Sequence, residues 1–221
     1  MSDLRLVIFD VDGTLIDSQA HIKGAMAAAF LAESLPGPTD EAVLGIVGLS
    51  LPVAIAQLAP ELEPALTDRL VTAYKEAFHS LRAADFPSPL YPGALEVLEG
   101  LAAQENLLMG VATGKSRRGL DHVLEAHGLR RFFVTEQVAD HHPSKPHPSM
   151  VQAALAETGV APEDAVMIGD TSFDIDMGRA AGVRTVGVGW GYHGAGRLER
   201  ADIVIDAFSA LPAALETVWK R

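Results

Sequence analysis

Apolar positions along this chain follow two rhythms. Leu6-Val7-Ile8-Phe9 is an unbroken apolar run rich in β-branched types, the pattern of a strand buried in a parallel sheet. Comparable runs predict strands at 107–112, 165–169 and 184–188, with shorter ones at 132–135 and 203–205. Helical spacing of apolar residues fills the intervals, over 94–101, 117–127, 149–157, 172–181 and 209–219. That alternation predicts an α/β domain around a parallel sheet. Residues 16–85 break the pattern, since no strand-like run occurs there. A helix over 21–31 carries Ile22, Ala25, Met26, Ala29 and Phe30 on one stripe, and Thr39-Asp40 opens a short one. Another, over 67–83, carries Leu70, Val71, Tyr74, Phe78 and Leu81. Pro36-Gly37-Pro38, Pro52 and Pro60 punctuate the region. The expected organisation is an α/β core of residues 1–15 and 86–221 with an all-helical insertion, 16–85. Hinges are expected at 15–18 and 85–92.

Polar clusters stand where the strands stop. Asp10 and Asp12 follow the first run, and positions i and i+2 of an extended chain face the same way. Two adjacent carboxylates repel, so they need a hard cation, a shared proton, or both. A calcium loop of the EF-hand type is excluded, because Leu15 and His21 occupy its glycine and glutamate positions. Thr113-Gly114-Lys115-Ser116 ends the run at 107–112, and Gly169-Asp170-Thr171 ends the run at 165–169. Ser144-Lys145-Pro146 precedes the helix at 149. Ligands of open parallel sheets bind outside the carboxyl ends of the strands, so these groups should converge. A hydroxyl, a lysine and several carboxylates together describe a phosphate site around a hard divalent metal. Gly110 to Gly114 imitates a P-loop but is one residue too short. Asp174 has two roles open to it: closing a capping box from Thr171, or supporting the metal. His141, His142 and His147 lack both cysteine partners and metal-binding helical spacing, and are expected to be loop histidines.

Composition narrows the field. The formal net charge of −12 over 221 residues argues against nucleic-acid binding. It also requires local positive charge wherever an anionic substrate enters. There is no cysteine, hence no disulfide and no thiol chemistry. No apolar run approaches the ~20 residues of a membrane span, and no signal pattern opens the chain. A cytoplasmic monomer or homodimer with no membrane partner is expected.

Taken together, Asp10-Val11-Asp12-Gly13-Thr14, Thr113, Lys145-Pro146 and Gly169-Asp170-Thr171-Ser172-Phe173-Asp174 resemble the four ordered motifs of the haloacid dehalogenase superfamily. The helical insertion resembles the cap of its first subclass. Tyr91-Pro92-Gly93 and Ala112-Thr-Gly-Lys-Ser116 look most like phosphoglycolate-phosphatase-type members. The resemblance implies a Rossmann-like core and an aspartyl-phosphate mechanism. Asp10 would be the nucleophile and Asp12 the acid and base. Mg²⁺ would be held by the Asp10 carboxylate, the Asp12 backbone carbonyl and Asp170, with Asp174 supporting. Thr113, the Gly114 amide and Lys145 would grip the phosphoryl group. Asp12 disfavours the dehalogenase and phosphonate-cleaving branches, which lack an acid there. Leu51 stands where sugar-phosphate mutases usually carry arginine, so a phosphatase of a small phosphorylated metabolite such as 2-phosphoglycolate is expected. A sugar-phosphate phosphatase or phosphomutase is the alternative. A phospho-accepting receiver domain fits less well: its acceptor aspartate follows a later strand, and it has no helical insertion. Specificity is expected from the loop over 45–52, with Ser50 touching substrate, and from the helix face bearing His21 and Lys23. That loop is uncharged, so amides, hydroxyls and shape would recognise a small substrate.

Overall fold

The computed structural model describes residues 4–84 and 87–220. The opening apolar run forms β1 (Arg5–Phe9), and Leu6 through Phe9 have no solvent exposure. Four helices follow without an intervening strand: α1 (Gln19–Ala32), α2 (Asp40–Leu44), α3 (Leu51–Leu58) and α4 (Pro64–Ala84). The chain then alternates through α5 (Ala94–Ala102), β2 (Leu107–Thr113), α6 (Arg117–Ala126), β3 (Thr135–Val138), α7 (Ser149–Thr158), β4 (Ala165–Gly169), α8 (Ser172–Ala180), β5 (Arg184–Val188), β6 (Ile203–Ile205) and α9 (Leu211–Trp219).

All six strands run parallel in the order β3-β2-β1-β4-β5-β6, the Rossmann-like arrangement. β1 lies in the middle, with Leu6 paired to Leu108 on one side and Ala165 on the other. Its side chains divide between two cores. Val7 and Phe9 pack with α5, α6 and α9, while Leu6 and Ile8 pack with α7 and Met177 of α8. Period-two alternation with apolar residues on both faces produces that unbroken run. Chain order reverses at β1, where β2 and β4 flank it, so the crevice for a ligand opens at its carboxyl end.

The edge strand departs from its expected position. Residues 130–132 form a 3₁₀ turn, and the strand is Thr135–Val138. Phe132 and Phe133 bury their rings in the core from that turn. The strand itself is polar, because Thr135 and Gln137 are buried against a partner, the Glu157 carboxylate.

The four helices after β1 share a hydrophobic cluster of their own, built on Ile22, Met26, Phe30, Val43, Ile55, Leu70 and Val71. Two segments join this cap to the sheet. They pair with each other: Asp17 N–H donates to Pro89 O at 2.9 Å and Tyr91 N–H to Leu15 O at 3.0 Å. The expected boundary at 85/86 lies outside the described residues. No helix among the described residues is long and apolar enough to cross a membrane.

Candidate active site

Three strand ends supply the site. Asp10 follows β1, Thr113 ends β2 and Asp170 follows β4, and all three are buried. Gly13 makes the turn after Asp10 at φ +81°, and a Cβ there would fall 2.3 Å from Asp170 Oδ2. Only glycine meets both demands. Thr14 Oγ1 then donates to Asp170 Oδ1 at 3.0 Å, and the Tyr192 N–H donates to Oδ2 at 2.8 Å.

Lys145 is fully buried, with Nζ 2.8 Å from Asp10 Oδ1 and 2.6 Å from Asp174 Oδ1. Burial alone would lower its pKa, but the two carboxylates outweigh burial and raise it. Asp174 Oδ2 accepts from the Thr171 N–H at 3.1 Å and from Thr171 Oγ1 at 2.6 Å. The capping box is therefore present, and the same carboxylate holds Lys145.

Asp10, Asp170 and Asp174 each bring one carboxylate oxygen within 4.8 Å of the others, all buried. Against these three charges Lys145 supplies one. Burial pushes Asp10 up to about 7, with Lys145 opposing and Asp174 and Asp12 adding repulsion. Burial, then repulsion from Asp174 and Asp10, lifts Asp170 well above the usual carboxylate range. Neither Asp10 oxygen has a well-directed hydrogen bond among the described residues, Lys145 standing at ion-pair distance only. Buried carboxylate oxygens with open lone pairs and excess negative charge suit a hard, oxygen-loving dication. The residues present therefore fit Mg²⁺.

The Asp12 side chain lies outside that cluster. Lys115 Nζ donates to both its oxygens, at 2.6 and 2.8 Å, and Ser18 Oγ donates to Oδ1. Lys115 also lies 5.6 Å from the centre of the Phe78 ring, so one ammonium joins the sheet to the cap.

A cavity of about 370 Å³ opens over Asp10, Asp12, Thr113 and Gly114, walled on the far side by the cap. Lys75, Arg82, Lys115 and Arg118 line it against only two carboxylates. That is the local positive charge an acidic chain needs in order to admit an anion. The cap is closed over the sheet. A Cβ on Gly114 would lie 2.6 Å from Gly48 O and 2.7 Å from Leu49 O. His193, fully buried, bridges the same joint: its Nδ1 accepts from Ser172 N–H and its Nε2–H donates to Gly45 O, each at 3.2 Å. Burial takes its pKa down to about 4, so the imidazole is neutral.

A family model described as haloacid dehalogenase-like hydrolase matches residues 7–188. The chain belongs to that family. A probable phosphatase, IndB, of Dickeya dadantii is 34% identical over 220 residues, covering 97% of this chain and 95% of the relative. The phosphoglycolate phosphatase of Agrobacterium fabrum is 31% identical over 214 residues, covering 95% and 91%. A predicted phosphoglycolate phosphatase structure from Haemophilus somnus shares the fold, with a TM-score of 0.84 at 24% identity over 97% of this chain and 99% of that one.

In this haloacid dehalogenase-like hydrolase, Asp10, Asp12, Thr113 and Gly114 border one cavity, with Lys145, Asp170 and Asp174 packed behind Asp10. Three cap positions fall elsewhere. Ser50 does not line the cavity; its N–H donates to Ser144 Oγ at 2.8 Å and joins cap to core. His21 bonds Ser88 Oγ at 3.0 Å, and Lys23 pairs with Asp40 at 2.9 Å. On the same helix Ile22 and Met26 face the cavity instead. Lys115 and His193 carry more than the sequence pattern assigned them. Lys115 stands two residues beyond Thr113, the spacing that also links Asp12 to Asp10. His193 carried no comparable signal.

Proposed function

We propose that this chain is a Mg²⁺-dependent phosphomonoester hydrolase that forms an aspartyl-phosphate on Asp10. The observation that carries it is the Asp10 carboxylate: buried, without a directed hydrogen bond, and facing a cation-lined cavity. In the first half-reaction an Asp10 oxygen bonds to phosphorus as the ester P–O bond breaks, and Asp12 gives a proton to the departing oxygen. In the second, Asp12 takes a proton from water, which attacks phosphorus and breaks the bond to Asp10. Lys115 and Ser18 hold Asp12 in place for both tasks. Thr113, the Gly114 amide and Lys145 bind the phosphoryl oxygens. The Asp10 carboxylate, the Asp12 backbone carbonyl and Asp170, with Asp174 supporting, would hold Mg²⁺, which supplies positive charge against the phosphoryl group.

The substrate in this proposal is a small phosphorylated metabolite. Relatives named for phosphoglycolate make 2-phosphoglycolate the first ester to assay. The expected result is Mg²⁺-dependent release of phosphate from monoesters, abolished in Asp10→Asn and by chelation. Near-normal turnover in Asp10→Asn would overturn the proposal.

A further inference from the structure

We infer that the cavity under the cap holds a bulky apolar group, so that the preferred substrate is a phosphate monoester of an aromatic or comparably apolar alcohol. This deepens the hydrolase proposal and rests on it. The residues proposed to meet the phosphoryl group are a small part of the lining of a space of about 370 Å³, in the range of pockets that enclose a whole organic ligand. Met26, Val47, Leu49, Leu51, Tyr74 and Phe78 form its walls. Tyr74 and Phe78, one helical turn apart on α4, stack at 5.8 Å between centroids with 27° between planes. They form an aromatic wall onto which a flat group can lie.

Two further features disfavour a short, charged acid. Two polar groups of the cap loop are already engaged by the core: Ser50 N–H with Ser144, and Gly45 O with His193. The cations Lys75 and Arg118 are solvent-exposed and so belong to the mouth, whereas Met26, Val47 and Leu49 are buried. Charge attracts the ester at the entrance; deeper in, Met26, Val47 and Leu49 offer apolar contact to what the phosphate carries, while the largely buried ammonium of Lys115 is already held by Asp12.

Benzyl phosphate and methyl phosphate test this, because their leaving alcohols have similar acidity and differ in the apolar ring. With Mg²⁺ present, kcat/KM for benzyl phosphate should exceed that for methyl phosphate and for 2-phosphoglycolate by at least about ten-fold, the scale expected for burying a ring. Benzylphosphonate should bind tighter than methylphosphonate by a similar factor in calorimetry. Leu51→Asn and Tyr74→Ser should each pull the benzyl-to-methyl ratio toward one. Equal rates and equal binding for the two pairs, or a preference for 2-phosphoglycolate, would overturn the inference. If no ester were hydrolysed while benzylphosphonate still bound preferentially, the hydrolase proposal would fall and the apolar site would stand.

Discussion

Asp10 concentrates the chemistry of this molecule in one side chain. Its carboxyl sits at about 7 rather than 3.8 because burial disfavours its charge, and Asp170 is displaced in the same direction. The metal-free folded protein therefore holds protons that the unfolded chain releases. Asp10 loses its stabilising effect as pH rises from about 4 to about 7, and Asp170 acts in the same direction. Mg²⁺ bound as proposed would displace those protons, so the rise in Tm that it brings should be larger at about pH 8 than at about pH 5, by several degrees. His193 is shifted oppositely, its contribution being lost as pH falls from 6.5 toward about 4. It is no ligand, so comparing Tm with and without Mg²⁺ at each pH isolates the carboxylates. Equal Mg²⁺ increments at both pH values would contradict the assignment. Asp12→Ala should slow turnover by roughly 10²–10⁴-fold, the usual scale for lost acid–base help. Phosphoenzyme formation should suffer more with an alkyl ester than with p-nitrophenyl phosphate, whose leaving group needs no proton. Equal losses would remove Asp12 from the acid role. Asp10, Asp12, Thr113 and Asp170 were legible in the sequence because strand ends are visible as the ends of apolar runs. The Lys115–Asp12 pair spans 103 positions, and no local pattern encodes it.

At the level of elements, the proposed catalysis would depend on how the cap seats against the end of β2. The segment at Gly48-Leu49 rests on Gly114 so closely that a single methyl group there would collide with two backbone carbonyls. Gly114→Ala should hold the cap away from the sheet. We expect kcat/KM to fall by at least about ten-fold, because water then reaches the charges around Asp10. Protease cleavage of the connecting segments should rise, while Tm changes by only a few degrees. Unchanged cleavage with unchanged kcat/KM would show that this contact does not control closure. The sequence revealed the cap's helices but not which faces meet the cavity. The apolar stripe of α1 put Ile22 and Met26 on its buried face, but apolar periodicity does not show that this face also meets the cavity, and the polar His21 and Lys23 stood as the expected contacts. The edge strand was misplaced for a related reason. Two of its three buried residues, Thr135 and Gln137, are polar and find their partner in Glu157 of α7, so hydrophobic pattern pointed to the phenylalanines just before it.

For the whole molecule, the order of the parallel sheet assembles the site. Thr14 and Asp170, 156 positions apart, become hydrogen-bonded neighbours because β1 and β4 lie side by side. The acidic chain then places four cations around one cavity, which separates attraction of the anion from the negative charge of the catalytic floor. The central claim is that phosphate passes through a covalent bond to Asp10. It is tested most directly by quenching the Mg²⁺-loaded protein in acid during turnover of a phosphate monoester, reducing with borohydride and mapping the peptides. Covalent catalysis predicts homoserine at position 10, formed by reduction of the acyl phosphate, and none in Asp10→Asn. Phosphate release with position 10 unmodified, or with the phosphoryl group on another residue, would contradict the account.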